Sequence, residues 1–502
     1  MVARVLMVQG ASSSAGKSLL VTALCRVFAR RGVRVAPFKA QNMSNNAAVC
    51  ADGSEIGRAQ AVQAAAAGVE PTPDMNPVLL KPEADSRSQV VVMGRVWRTL
   101  RAGEYYRAKK ELWPVVTAAF DRLRAAYDLV VVEGAGSPAE LNLREGDIVN
   151  MAVALYARSP VLLVGDIDRG GIFAQLLGTL WLLAPDERAL VRGLVVNKFR
   201  GDPALFTRGV SILEEKGGVA VLGVVPFIRD LSIPEEDSVA LDQALRELRP
   251  CADEVEVAVV RLPHIANFDD FAPLAAEERV RVRYVASPEE LGRPHAVVLP
   301  GTKTTMPDLA WLWERGLAQA VLELARAGAS IVGICGGYQM LGKLIRDPLG
   351  VESSTPELAG LGLLPVETAF EREKATHRVR ARVLGGPGWL GQLEGLALHG
   401  YEIHMGSTGG GRAWLEISQR SGAEVRLSDG AVDGSGRVWG CYLHGLFENE
   451  ALRRAWLASL GWRGPNASGR RPAHLDASLD RLADVVEASL DMRRLEAIVW
   501  GG

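Results

Sequence analysis

Val5-Leu-Met-Val8-Gln-Gly10-Ala-Ser-Ser-Ser-Ala-Gly16-Lys17-Ser18-Leu-Leu20 reads as a short apolar strand, a small-residue loop and the start of a helix over 19–30. That order is the context a phosphate-binding loop needs. Backbone N–H groups of the loop and of the helix N-terminus can wrap an anion, helped by the helix dipole. Gly16 allows the close turn, Lys17 adds a positive charge near terminal phosphates, and the Ser18 hydroxyl is placed for Mg²⁺. The spacing departs from the common one: the usual first-glycine position is Ala11, and Gly10 lies one residue earlier. The plainer alternative is a serine-rich turn capping a helix. The strand before and the helix after favour the phosphate reading.

Working outward, further apolar runs occur at Val33–Pro37, Leu129–Glu133, Val161–Val164, Gly193–Val196 and Val221–Val225, with helical patterns between them. Continuous Val/Leu/Ile runs separated by helices predict a parallel sheet covered on both faces, the doubly wound α/β class. In such sheets ligands bind beyond the carboxyl ends of the strands. Glu133, which closes Tyr127-Asp-Leu-Val-Val-Val-Glu133-Gly-Ala-Gly136, is therefore a candidate Mg²⁺ ligand beside Ser18. Read alone, it is an ordinary strand-end residue.

The chain has 502 residues, more than one hydrophobic core accommodates, and a formal net charge of -2. That balance gives no general reason to bind nucleic acid or an anionic membrane. No apolar run approaches the ~20 residues of a membrane span. The first apolar run is too short for a signal peptide, and the five cysteines show no CxxC pair or metal-ligand spacing. A cytoplasmic protein is expected.

A polar, proline-bearing stretch runs from about Asp230 to Asp253, and the apolar rhythm restarts at Val255–Val260. The expected division is a first domain over 1–235, a linker over 236–253, a second α/β domain over 254–450 and a helical extension over 451–502. In the second domain Val280–Val285, Ala296–Leu299 and Ser330–Ile334 read as strands. Beyond Gly406 turn signals at Gly409-Gly410-Gly411 and Asp433-Gly434 predict hairpins.

Ser330-Ile-Val-Gly333-Ile-Cys335-Gly336-Gly337-Tyr-Gln339 places a cysteine between a strand and a helical pattern. A nucleophile on so sharp a turn is exposed to substrate, and a helix N-terminus favours thiolate. The alternative is a buried structural cysteine, which the three flanking glycines disfavour. A thiolate needs a base, and Val438-Trp-Gly440-Cys441-Tyr-Leu-His444-Gly445 offers His444. His404 is the rival.

These residues resemble the class I, triad-type glutamine amidotransferases. The resemblance implies Cys335 and His444 as catalytic pair, backbone N–H groups of Gly301 and Gly336 for the oxyanion, and Gln339 near the glutamine. The acid that usually follows the histidine by two residues is absent, since position 446 is Leu446. A dyad is the minimal reading, with Glu448 a speculative orienter.

The first half, with Phe38-Lys39 and Asn197-Lys198 after its strands, resembles the dethiobiotin-synthetase-like P-loop enzymes. That implies Mg²⁺ at Glu133, Lys39 near substrate and phosphate, and Asn197 at the adenine. Lys39-Ala-Gln41-Asn42-Met-Ser44-Asn45-Asn46, Asn76-Pro-Val-Leu-Leu-Lys81-Pro, Asp166-Ile-Asp168-Arg169-Gly-Gly171, Leu299-Pro-Gly-Thr302-Lys303 and Gly400-Tyr-Glu-Ile-His404-Met-Gly406 extend the match. On them the whole chain resembles the cobyrinate amidotransferases. The resemblance implies glutamine, ATP and a corrinoid as substrates, Mg²⁺, and no tightly bound organic cofactor. The branch matched amidates the b, d, e and g carboxylates of adenosylcobyrinic acid a,c-diamide; its sister acts on two earlier carboxylates. Gln41, Asn42, Ser44, Asn45, Asn46, Asp166, Asp168 and Arg169 are the corrinoid-contact candidates, with a solvated connecting loop the alternative for each.

Overall fold

The computed structural model describes residues 2–84, 86–229, 231–234, 254–464 and 475–501. The linker expected at 236–253 lies outside the described residues. In the first half six parallel strands stand in the order Val221–Pro226, Val191–Phe199, Val161–Asp166, Arg4–Gly10, Leu129–Glu133, Val35–Phe38. They are the six apolar runs of the sequence. Every residue of Leu129–Glu133 is buried, as a strand covered on both faces must be. The helix Lys17–Arg30 buries Leu20, Leu24 and Phe28 along one stripe. Arg4–Gly10 is central, and the chain winds away from it in both directions, so the loop after it opens into the crevice of the sheet.

Two small sheets project from this half. One joins Gln41–Met43, Val78–Ala84, Arg87–Val92 and Arg95–Arg101; the other pairs Ala47–Val49 with Glu55–Gly57. Ala47, Val49, Leu79 and Val91 share an apolar cluster with Ile403 of the second half. The halves thus meet through a small core of their own.

The second half has a six-stranded sheet in the order Val280–Val285, Val255–Val260, Ala296–Leu299, Ser330–Ile334, Val438–Cys441, Ala431–Val432, parallel except for the last pair. Of the expected hairpins, the one at Asp433-Gly434 joins Ala431–Val432 to Val438–Cys441 within this sheet. In a second, mostly antiparallel sheet the glycines at 409–411 instead link Ala397–Gly410 and Leu415–Arg420, which both pair with the long strand Val366–Val383. Its alternation of buried and exposed residues is interrupted by the exposed Glu371-Arg372-Glu373 run at the register shift between Ala369 and Lys374, which hides the strand in the sequence.

The segment 451–502, read from sequence as one extension, is divided by the structure. The helix Glu450–Ser459 stays on the second half, where Trp456 packs against Trp439 and Phe447. The helices Leu475–Ser489 and Met492–Trp500 return to the first half. There Leu479, Leu482, Val486 and Leu495 join a core with Leu20, Leu24 and Phe28. A Cβ at Gly223 would lie 2.1 Å from the Ser489 carbonyl oxygen, so that glycine accommodates the returning tail.

Candidate active sites

In the phosphate loop Gly16 has φ 94, a conformation that suits glycine. The displaced first glycine also has a physical reason. A Cβ on Gly10 would lie 2.8 Å from the Ser12 carbonyl oxygen and 2.9 Å from Lys17 Nζ. Gly10 therefore makes room for Lys17, whose ammonium donates to the Gly136 carbonyl at 3.1 Å. Glu133, fully buried, gathers the other polar groups: Ser18 Oγ donates to it at 2.8 Å and Lys39 Nζ at 2.9 Å, and the Gln63 amide donates to its second oxygen. Gln63 was not legible as a site residue, because it sits within an alanine-rich helix. Asn197, expected at the adenine, donates its amide to the Ala15 carbonyl at 2.9 Å and so braces the back of the loop.

The corrinoid candidates separate by burial. Asp166 is completely buried, bound by Lys198 Nζ at 2.9 Å, and the same ammonium reaches the Ser14 carbonyl at 2.7 Å. Through Lys198 it is tied to the phosphate loop. Asp168 pairs with Arg200 at 2.6 Å, and Arg169 is half exposed at this rim. Asn42 and Ser44 are also buried and hold their own segment: Asn42 donates to Gln60 Oε1 at 2.9 Å, and Ser44 Oγ accepts from the Asn46 N–H at 3.0 Å. Asn46 is buried beside them. Gln41 accepts from the Tyr105 hydroxyl, and Asn45 donates to the Pro82 carbonyl at 3.4 Å.

Cys335 has φ 53 and ψ −112 between its strand and the helix Gly336–Leu341. A side chain there is strained, and its neighbours must be small. A Cβ at Gly337 would fall 1.9 Å from the Leu299 carbonyl oxygen. Gly301, on the loop after Ala296–Leu299, and Gly336, which opens the helix, are closely hemmed in: a Cβ at Gly301 would come 2.8 Å from His444 Cε1, and one at Gly336 2.8 Å from Thr302 Cγ2. The Gly301 loop is held by Asp308, which accepts from the Thr302 hydroxyl and binds His264 Nδ1 at 2.7 Å. Gln339 is fixed in the wall by Thr305 at 3.0 Å, the Met405 carbonyl at 3.1 Å and Tyr442 at 3.1 Å. Cys335, His444, Gln339 and Glu352 line one cavity, which Lys81 and Gln89 of the first half also border. Burial pushes the Glu352 carboxyl up to about 7, although the Thr305 and Met306 N–H groups oppose the shift.

The acid missing after the histidine is supplied from elsewhere. Asp270 Oδ2 lies 2.6 Å from His444 Nδ1, and its other oxygen accepts from the Gly445 N–H at 2.8 Å. With Nδ1 so engaged, Nε2 is left to serve Cys335. Burial of His444 lowers its pKa, but Asp270 and the Cys335 sulfur outweigh that and push it up to about 10. Glu448, the orienter considered from sequence, is not the group bound to the imidazole. His404 is committed to the Gly406 carbonyl at 3.1 Å and stacks on Tyr442. Burial pushes the neighbouring Cys441 thiol well up, so it is unsuited to act as a thiolate.

A Cys–His–Asp constellation on one α/β half, beside a phosphate loop on the other, is the make-up of a glutamine amidotransferase joined to a nucleotide-using domain. Residues 6–239 match the CobQ/CobB/MinD/ParA nucleotide binding domain, and residues 256–452 the CobB/CobQ-like glutamine amidotransferase domain. A cobyric acid synthase of Chloroflexus aggregans is 57% identical over 498 residues, covering 98% of this chain and 97% of that protein. One from Sorangium cellulosum is 53% identical over 516 residues, covering 99% of each chain. A third, from Dehalococcoides mccartyi, is 49% identical over 504 residues, covering 100% of this chain and 99% of its own. The chain belongs to the cobyric acid synthase family, amidotransferase ligases of cobalamin biosynthesis. No helix among the described residues is long and apolar enough to cross a membrane.

Proposed function

We propose that the chain amidates the b, d, e and g carboxylates of adenosylcobyrinic acid a,c-diamide, using one glutamine and one ATP for each. The observation that carries this is the cavity holding Cys335 and His444, because its wall includes Lys81 and Gln89 of the nucleotide-using half. Ammonia formed there is released against the other half.

The Cys335 thiolate attacks the side-chain carbonyl of glutamine, and backbone N–H groups of Gly301 and Gly336 receive the oxyanion. His444 passes a proton to the departing nitrogen, ammonia leaves, and a glutamyl thioester remains. Water, deprotonated by His444, cleaves that thioester to glutamate. Asp270 keeps the imidazole oriented throughout. Glu352 suits the substrate's α-ammonium. In the first half a corrinoid carboxylate attacks the terminal phosphorus of ATP, displacing ADP and forming an acyl phosphate, since a free carboxylate is a poor acyl donor. Ammonia then displaces phosphate from the acyl phosphate. Lys17 and the loop N–H groups position and neutralise the phosphates. The hydroxyl of Ser18 and the carboxylate of Glu133 are oxygen donors of the kind Mg²⁺ takes; the ion supplies charge neutralisation when bound.

Mass spectrometry of the corrinoid product tests this. Adenosylcobyrinic acid a,c-diamide should gain four amides, each with a fixed mass change. Failure to convert it, with amidation of cobyrinic acid that stops at the diamide, would overturn the proposal.

A further inference from the structure

Arg58 opens the helix Arg58–Ala67 in the first half, but its side chain ends in the second. Its Nε lies 3.0 Å from Asp269 Oδ2, its Nη2 donates to the Tyr401 hydroxyl, and its guanidinium sits 5.0 Å over the Tyr401 ring. Tyr401 lies directly against His444, and Asp269 is next in sequence to the carboxylate that binds it. The Tyr401 ring stacks on the imidazole at 5.3 Å with 19° between the planes, and the two residues exchange backbone hydrogen bonds of 3.1 and 2.8 Å. Asp269 precedes Asp270, the residue that holds His444 Nδ1.

Charge gives this contact a purpose. Asp269 and Asp270 are neighbouring carboxylates with little side-chain exposure, of which Asp270 bonds His444, and burial raises the pKa of Asp269. Two like charges so placed compete for one cation, and one must be neutralised or turn away. Arg58 answers Asp269 and leaves Asp270 to His444. The backbone around it reinforces the arrangement. The Arg58 N–H donates to the Asn46 carbonyl at 3.1 Å, and the next residue, Ala47, donates its N–H to Asn267 Oδ1 at 2.9 Å. Asn267, at φ 52, begins the turn that carries Asp269 and Asp270. One short stretch of the nucleotide-using half thus grips both ends of the turn supporting the glutaminase histidine.

Resting on the amidotransferase reading above, we infer that Arg58 is a positioning residue for glutamine hydrolysis, supplied by the opposite half and acting on His444 through Tyr401 and Asp269. Neither half then holds a complete glutaminase, and the polar run around Asn46 has a role in orienting it.

The test uses the full-length enzyme with Arg58→Lys, with the charge-balanced double variant Arg58→Met/Asp269→Asn, and with Cys335→Ser alongside. The double variant leaves no unpaired buried carboxylate at this place, so it retains the fold. Displacing a catalytic group slightly costs about 10- to 100-fold in rate. Glutamine-dependent kcat should fall by that factor in both Arg58 variants, with KM for glutamine within about threefold, and iodoacetamide should alkylate Cys335 correspondingly more slowly. Ammonia-dependent synthesis should stay within about twofold of wild type. Wild-type glutaminase kcat in the double variant, or an equal fall in ammonia-dependent synthesis, would overturn the assignment. If Cys335→Ser still hydrolysed glutamine, the underlying reading would fail instead, and the two failures remain distinct.

Discussion

In the nucleotide-using half the chain leaves the strand Arg4–Gly10 and passes through Ala11–Gly16 before the helix Lys17–Arg30. In the glutaminase half it passes from Ser330–Ile334 into Gly336–Leu341 through Cys335 alone. Both turns lie at the carboxyl end of a parallel strand with a helix N-terminus behind them. The residue just before the helix has positive φ in each, 94 at Gly16 and 53 at Cys335. An anion site is built from backbone N–H groups, so its strained position can be glycine at little cost. A nucleophile must carry a side chain, so strain of order 1–3 kcal/mol stays at Cys335. The surroundings answer with glycines at 333, 336 and 337. The same local geometry thus demands small residues within one loop and around the other.

The comparison would break first at Cys335. Cys335→Ser should lower glutamine-dependent synthesis at least about ten-thousand-fold, since catalytic residues acting as a unit fail together. Ammonia-dependent synthesis should persist, as measured by amide formation with ammonium salts. Loss of both would mean that the halves do not divide the work. Asp270→Asn should cost roughly a thousand- to ten-thousand-fold in glutaminase kcat, by analogy with other triads. It also carries a pH signature. The folded pKa of His444, raised to about 10, lies above its ordinary value. The associated stability is therefore full below about 6.5 and is lost as pH rises toward 10. Wild type should lose this increment of Tm between those pH values. The Asp270→Asn variant should show a smaller limb, because the Cys335 sulfur alone remains to raise the pKa, and an unchanged limb would remove Asp270 from the site.

Lys17→Ala should lower glutamine- and ammonia-dependent synthesis alike, by about a hundred- to a thousandfold, the usual cost of removing one stabilising group from a charged transition state. Carboxylate activation precedes the use of either nitrogen source. Ammonia-dependent product at wild-type rate would refute the phosphate site and leave the comparison with only one arm.

What could be read in advance was local. Lys17, Glu133 and Cys335 announce themselves because loop, strand and helix are contiguous around them, and the buried strands are uninterrupted Val/Leu/Ile runs. Asp270 is 174 residues from His444, so its role depends on two chain segments meeting, which no local spacing encodes. Its one local signal is an Asp-Asp pair set between Phe268 and Phe271. The segment Gln41–Asn46 is less legible for a different reason. Polar composition alone does not separate a solvated loop from one whose polar side chains are bonded within the fold, as those of Asn42 and Ser44 are. Arg58 shares that difficulty, since an arginine opening a helix ordinarily faces water.

The tail sharpens the comparison at its smallest scale, because it supports one half and not the other. Arg26 pairs with Asp480 at 2.8 Å and Arg30 with Asp484 at 2.6 Å, but these carboxylates are largely exposed. Such pairs contribute about 0.5 kcal/mol each. Leu482 is 1% exposed in the core shared with Leu24 and Phe28, and its truncation costs about 2–5 kcal/mol. Leu482→Ala should therefore lower the temperature at which ammonia-dependent synthesis is lost on heating, while glutaminase inactivation shifts less. Arg26→Ala should move either only slightly. Equal shifts in both activities for Leu482→Ala would mean that the halves unfold as one unit, tied through the Arg58 contact and the apolar cluster around Ile403. A larger effect from Arg26→Ala than from Leu482→Ala would mean that charge, and not apolar burial, docks the tail.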